Sequence, residues 1–185
     1  MDYFALGFHH IISPAGFDHQ LFIVVLCALW SWQDWRRILV LLTGFTAGHS
    51  LTLALTSLGV VAFPSKVVEP LIMATILITS LSNVIFPRPK SIGWPFGMAM
   101  VFGLVHGCGF AGYFSMMLGE EESILLPLLG FNLGLEAGQI LTVTGFYGLF
   151  FLIEKVRPVP QRDWTIFVSG AGAGLAFKML LGLIQ

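Results

Sequence analysis

The feature that most constrains the fold is a succession of long apolar segments separated by short polar ones. Of the 185 residues, 56% are hydrophobic and only 10% are charged, whereas an ordinary soluble domain has about 25% charged residues. The apolar segments approach the ~20 residues that a helix needs to cross a bilayer. The sequence therefore predicts an all-α, polytopic integral membrane protein whose first partner is the lipid bilayer.

Charged and helix-breaking residues divide the chain into six predicted transmembrane helices packed in one bundle. Ser13 and Pro14 are typical of a helix start, as N-cap and first helical residue, and place the beginning of the first span there. No loop is long enough to form a soluble domain, so residues 1–185 are predicted to be a single transmembrane domain. The predicted spans are about 14–33, 38–60, 67–86, 95–118, 124–152 and 164–184.

Basic residues indicate how the bundle is oriented. The loops after the first, third and fifth spans carry Arg36, Arg37, Arg88, Lys90, Lys155, Arg157 and Arg162. The loops on the other side carry only Lys66. The positive-inside rule places the basic loops in the cytoplasm. Both termini are then expected on the outer, periplasmic side, together with Glu120–Glu122, an acidic run that would concentrate cations.

The formal net charge of -1 gives no indication of a nucleic-acid partner. No nucleotide-binding motif is present, so the chain by itself is not expected to couple to ATP hydrolysis. The oligomeric state is left open by the sequence.

Ionisable side chains inside membrane spans are costly, and they therefore indicate function. The predicted spans contain Asp18, His19, His49, Glu69, His106, Glu136 and Lys178. Imidazole and carboxylate together suit divalent nickel, zinc, cobalt or iron. The sequence thus predicts a metal site, while Lys178 is either a counter-ion for a glutamate or a side chain that reaches out of the membrane.

Depth within the spans suggests two levels of metal ligands. His49, His106 and Glu136 lie 11 or 12 residues from the ends of their spans, which is about 16–18 Å and close to the bilayer midplane. These three are expected to form the central site. An outer entrance is expected to consist of His10, Asp18, His19 and Glu69. Neutral polar residues that would support the ligands are Ser50, Asn83, Asn132 and Gln139.

Several motifs in the same order resemble those of the HupE/UreJ family, and the resemblance covers nearly the whole chain. They are GFHHI at 7–11, GFDHQLF at 16–22, FTAGHSLTL at 45–53, FGLVHG at 102–107 and FNLGLEAGQ at 131–139, with Val68-Glu69 and Ser82-Asn83 between them. Members of that family are hydrogenase- and urease-associated membrane proteins regarded as nickel permeases. The resemblance therefore implies metal uptake across a bacterial inner membrane, with nickel as the first candidate ion and metalloenzyme maturation proteins as partners.

Two other functions are compatible with the same residues. An intramembrane hydrolase could hold zinc with His19, His49 and His106, while Asp18 or Glu136 activates a water molecule. A b-type haem protein could use pairs of histidines as axial ligands. The sequence alone does not separate these alternatives from a permease.

Overall fold

The computed structural model describes residues 2–86, 88–119 and 123–183. All regular secondary structure in these residues is helical, which confirms the predicted all-α class. The α-helices are α1 (Tyr3–Ile12), α2 (Phe17–Cys27), α3 (Trp35–Ser57), α4 (Ser65–Ile85), α5 (Gly93–Leu118), α6 (Leu125–Val156) and α7 (Gln161–Gly182). Short 3-10 helices at Pro14–Gly16 and Trp32–Asp34 precede α2 and α3.

Helices α3 to α7 are each long and apolar enough to cross a membrane. Many of their large apolar side chains lie on the surface of the bundle, including Leu126 at 77% and Phe167 at 69% exposure. Water would disfavour so much exposed apolar surface, whereas lipid accommodates it. The chain is therefore an integral membrane protein, and α3 to α7 end within four residues of the predicted spans.

Helices α1 and α2 satisfy the same criteria only as a pair, and they meet at an angle of 65°. Helix α1 lies along the first half of α6 and runs in the same direction. A Cβ built on Gly134 would overlap the carbonyl oxygen of Phe4, and one on Gly138 would lie 2.9 Å from Cβ of Ile11. Small residues at this spacing allow two helix backbones to approach closely.

Helix α2 continues in that direction along α6. The hydroxyl of Tyr147 donates to the carbonyl oxygen of Cys27 at 3.0 Å, beside the last turn of α2. Gln161 and Thr165 donate to the carbonyl oxygen of Ala28 at 3.1 and 2.8 Å, so side chains of α7 cap the same helix end. Because α1 follows the first half of α6 and α2 the second, the pair forms one interrupted span. Six crossings result, in agreement with the prediction.

The interruption lies between Ser13 and Gly16. Pro14 has no N–H and cannot continue the hydrogen-bond ladder of α1. The amide of Gln20 donates to the carbonyl oxygens of Ile11 at 2.9 Å and of Ser13 at 3.1 Å, so backbone groups freed at the break are satisfied inside the protein. A side chain at Gly16 would overlap the carbonyl oxygen of His10.

The first span therefore differs from the predicted helix 14–33. The structure begins this span at Tyr3 and places Ser13-Pro14 in its interior. The Ser-Pro pair correctly indicated a helix start. A helix start in the sequence does not reveal how deep in the membrane it lies. Residues 3–12 alone are too short to cross a bilayer, so they were not recognised as the first half of a crossing.

Helices α3 and α5 pack with their backbones in contact. A Cβ on Gly48 would overlap the carbonyl oxygen of Met100, and a Cβ on Gly103 would overlap that of Phe45. A Cβ on Gly107 would lie 2.6 Å from the carbonyl oxygen of His49. This close approach brings His49 of α3 and the neighbouring His106 of α5 into the same part of the bundle.

Candidate metal centre

Four histidines and one aspartate from four helices converge beside the interrupted span. His10 lies in the last turn of α1, Asp18 and His19 lie in the first turn of α2, and His49 and His106 lie within α3 and α5. The ring centroid of His19 is 4.8 Å from that of His106 and 5.7 Å from that of His49. The centroids of His10 and His49 are 5.5 Å apart. We call these five residues the His cluster.

The His cluster is largely buried. His49 and His106 have no exposed surface, and His19 is 3% exposed. His10 and Asp18 are partly buried. Ionisable side chains in such surroundings need close partners or a bound ion to offset the loss of hydration.

Asp18 determines which nitrogen of His19 is available. Oδ1 of Asp18 lies 2.8 Å from Nδ1 of His19 and also accepts from the His19 backbone N–H at 2.8 Å. Since a carboxylate accepts hydrogen bonds, Nδ1 of His19 carries the proton. Nε2 of His19 then keeps its lone pair, and it lies 3.3 Å from Nε2 of His10. A carboxylate that orients a histidine in this way is a common arrangement around bound metals.

Several nitrogens of the cluster are buried without a hydrogen-bond partner among the described residues. They are both ring nitrogens of His49 and Nδ1 of His106. An unsatisfied buried polar atom costs about 1–3 kcal/mol, so three in one place need a compensating role. A neutral imidazole has one nitrogen with a free lone pair, so His49 and His106 can each offer one such nitrogen to a divalent cation.

The ligand atoms fall into two overlapping sets that could each hold a metal ion. One set is His10, His19 and His49, and the other is Asp18, His19 and His106. Within each set the ligand atoms lie within 4.8 Å of one another. Imidazole nitrogens bind zinc at about 2.0–2.1 Å, so a shift of well under an ångström per ligand would close either set around one ion.

Phenyl rings cover the His cluster on both sides. Towards the end of the bundle where α6 begins, Phe110 lies 4.0 Å from His10 and 5.3 Å from Phe131 between ring centroids. Towards the loops that carry the basic residues, Phe22 lies 4.9 Å from His106 and 5.1 Å from Phe45. We call these pairs the outer and the inner phenyl layer, after the orientation expected from the basic loops.

The expected separation into an outer entrance and a central site does not match the structure. His10, Asp18 and His19 were expected near the outer surface, but they contact the buried pair His49 and His106. The reason is the break at 13–16, which places the end of α1 and the start of α2 in the interior.

Two predicted ligands stand apart from the cluster. Glu69 lies on an exposed face of α4, and Glu136 is partly buried on α6. Among the described residues neither belongs to a set of side chains that could hold a metal. Lys178 is exposed on α7. The acidic run Glu120–Glu122 lies outside the described residues.

The residues expected to support the ligands divide into two groups. The hydroxyl of Ser50 and the side-chain amide of Asn132 are hydrogen-bonded at 2.6 Å, and Thr46 donates to Oε1 of Gln139 at 3.3 Å. These bonds join α6 to the turn of α3 that carries His49. Asn83 instead donates to the carbonyl oxygen of Val25 at 2.8 Å and to Ser169 at 3.2 Å, so it links α2, α4 and α7 near the end of α4.

Sequence reasoning missed Thr75. Its hydroxyl lies 3.0 Å from Nε2 of His106, and the residue is 4% exposed. Threonines are common in membrane helices, where they bond to their own backbone. No signal in the sequence separates Thr75 from the other threonines of the chain.

Comparison with known families gives a match over nearly the whole chain. Residues 1–181 match the model of a family described as HupE / UreJ protein. The chain belongs to the HupE/UreJ family. This membership confirms the resemblance seen in the motifs, and it extends over essentially the whole chain. A search of curated proteins found no match, and no solved structure matches the chain.

Proposed function

We propose that this HupE/UreJ protein is a permease for a divalent transition metal, with nickel as the first candidate and cobalt, zinc and iron as alternatives. The observation that carries the proposal is the His cluster, which lies at a break in a membrane span and contains imidazole nitrogens that have no hydrogen-bond partner among the described residues. Family membership supports metal handling. The metal is the cargo of this site.

The chemistry of the cluster suits an ion that must be bound and then released. Neutral imidazoles replace the waters of hydration that the ion loses, and the Asp18 carboxylate offsets part of its charge. The ligands come from α1, α2, α3 and α5. Because four elements contribute, a small displacement of one helix would lengthen some metal bonds while others remain. Interrupted helices perform this role in other membrane transporters.

The two phenyl layers support alternating access. Phe110 and Phe131 cover the cluster on one side, and Phe22 and Phe45 cover it on the other. A closed layer on each side keeps water and other ions from leaking through while the metal is bound. We propose that the outer layer opens for binding and the inner layer for release.

The basic loops support uptake towards the cytoplasm of a bacterial inner membrane, with both termini on the periplasmic side. On the basic side, the guanidinium groups of Arg37 and Arg88 lie over the ring of Trp30 at 5.3 and 4.9 Å. Both arginines also pair with Asp34. Aromatic and cationic side chains clustered at a span end are typical of a membrane interface.

The main alternative is an intramembrane zinc hydrolase. The Asp18–His19 pair favours it, since carboxylate–histidine–metal arrangements are frequent in zinc enzymes. A hydrolase also needs a water molecule at an open metal position and a free carboxylate to activate it. Asp18 is already bonded to His19, and Glu136 lies outside the ligand sets. The permease therefore accounts for more of the arrangement.

The deciding experiment is transport by the purified protein in liposomes, with elemental analysis of the vesicle contents after exposure to Ni²⁺, Co²⁺, Zn²⁺ or Fe²⁺. We expect uptake of at least one ion, Ni²⁺ first, to exceed that of protein-free vesicles. Zinc that stays bound to the protein without entering the vesicles would contradict the permease and favour the hydrolase. A haem absorption band in the purified protein would contradict both.

A further inference from the structure

Thr75 makes two contacts that compete for a single hydrogen. Its Oγ1 lies 2.7 Å from the carbonyl oxygen of Ile72 and 3.0 Å from Nε2 of His106. A threonine hydroxyl has one hydrogen to donate and two lone pairs to accept with. Since a carbonyl oxygen can only accept, and the contact with Ile72 is the shorter of the two, we assign the hydrogen of Thr75 to Ile72. The contact with His106 is then favourable only if Nε2 of His106 is the donor.

This direction of bonding fixes the tautomer of His106. A neutral imidazole carries one proton, so protonation at Nε2 leaves the lone pair on Nδ1. Nδ1 of His106 is buried and has no hydrogen-bond partner among the described residues. Its ring faces His19 at a centroid distance of 4.8 Å.

We propose that Thr75 is a positioning residue, which holds His106 in its Nε2–H tautomer so that Nδ1 is the atom presented to the metal. The inference rests on the proposed permease function. His19 is held in the opposite tautomer, because Asp18 accepts from its Nδ1. The cluster thus presents Nε2 of His19 and Nδ1 of His106.

The nature of the two orienting groups has a consequence for release. A carboxylate bonded to an imidazole N–H increases the basicity of the ligating nitrogen, and a neutral hydroxyl does so much less. His19, oriented by Asp18, is therefore the stronger metal ligand. His106, oriented by Thr75, is the weaker ligand and the one from which the ion is released.

Thr79 offers a matched control on the same helix. It lies one turn beyond Thr75, is 6% exposed, and donates to the carbonyl oxygen of Thr75 at 2.8 Å. Like the bond from Thr75 to Ile72, this bond joins a hydroxyl to a carbonyl oxygen of the preceding turn, but among the described residues Thr79 has no hydrogen bond to an imidazole. A purely structural role for threonine hydroxyls in α4 would make Thr75→Val and Thr79→Val equivalent.

The direct test is ¹⁵N NMR of histidine-labelled full-length protein in bilayers without metal, since the two imidazole nitrogens differ in chemical shift with protonation. The signals of His106 are identified by their loss in His106→Gln. We expect protonated Nε2 and unprotonated Nδ1 in the wild type, Thr75→Ser and Thr79→Val, and a loss of this preference in Thr75→Val. Protonated Nδ1 in the wild type would overturn the inference, as would an unchanged tautomer in Thr75→Val.

The second readout is equilibrium binding of Ni²⁺. Removing a group that orients a metal ligand typically weakens metal affinity about 10–100-fold, and we expect a loss of that size in Thr75→Val. Thr75→Ser should restore the affinity, and Thr79→Val should leave it unchanged. Wild-type affinity in Thr75→Val would overturn the positioning role. If the wild type shows the expected tautomer but transports no metal, the proposed function fails while the tautomer assignment stands.

Discussion

Nε2 of His10 and Nε2 of His19 face each other at 3.3 Å across the break between α1 and α2. The two residues are nine positions apart, and in one continuous helix they would be separated by about 13 Å along its axis. The break at 13–16 removes that separation and folds both rings against His49 and His106. The interruption of the first span therefore assembles the candidate metal site.

This role of the break leads to a prediction for Gly16→Ala. The new methyl group would overlap the carbonyl oxygen of His10, and overpacking of this kind typically costs about 1–3 kcal/mol. We expect a lower temperature of unfolding in detergent and weaker metal binding. Gly170→Ala in α7 is the control, because a Cβ there meets nothing within 4 Å. Equal stability of the two variants would show that the junction tolerates a side chain.

Asp18→Asn tests the orientation of His19. The substitution keeps the shape of the side chain but removes its charge, and the new amide can place an N–H donor opposite Nδ1 of His19. We expect Ni²⁺ affinity to fall about 10–100-fold, as for other outer partners of metal-bound histidines, with little change in folding. Asp163→Asn, at an exposed position of α7, should bind like the wild type. Unchanged affinity in Asp18→Asn would remove Asp18 from the site.

Metal binding is expected to weaken as the pH falls. Metal and proton compete for the same imidazole lone pairs. Isotherms for Ni²⁺ at decreasing pH, down to the lowest pH at which the protein stays folded, measure this directly. An affinity that stays constant over that whole range would mean that histidines are not the principal ligands.

The orientation of the chain is a further prediction. Reporter fusions at either terminus should be active on the periplasmic side, and a fusion in the 33–37 loop should be active in the cytoplasm, as the basic residues indicate. A periplasmic 33–37 loop would contradict the proposed orientation, and the outer and inner phenyl layers would exchange sides.

Much of the fold could be predicted from the composition and from the positions of charged residues and prolines. Apolar runs bounded by charges and prolines define α3 to α7 to within a few residues. The interrupted span could not be predicted in the same way. Residues 3–12 and 17–27 are each too short to cross a bilayer, so their lengths did not reveal that together they form one crossing. The signal that could have revealed it is the pair Pro14 and Gly16 in a polar, His-rich segment, which is unusual for the middle of a single membrane helix.

The candidate site was predictable in residue type but only partly in geometry. His49 and His106 were recognised because isolated histidines in apolar helices are costly. Glu69 and Glu136 were selected by the same argument, yet charge alone does not tell which face of a helix a side chain occupies. Thr75 gave no signal, since its contact with His106 depends on the packing of α4 against α5.

The central claim is that the His cluster carries metal across the membrane. The most direct measurement compares Ni²⁺ uptake into liposomes by the wild type, His49→Ala and His9→Ala at equal amounts of inserted protein. His49 is fully buried in the cluster, whereas His9 is exposed on α1, next to His10 but outside the metal-holding sets. We expect His49→Ala to lose uptake and His9→Ala to retain it. Wild-type uptake in His49→Ala would contradict the account.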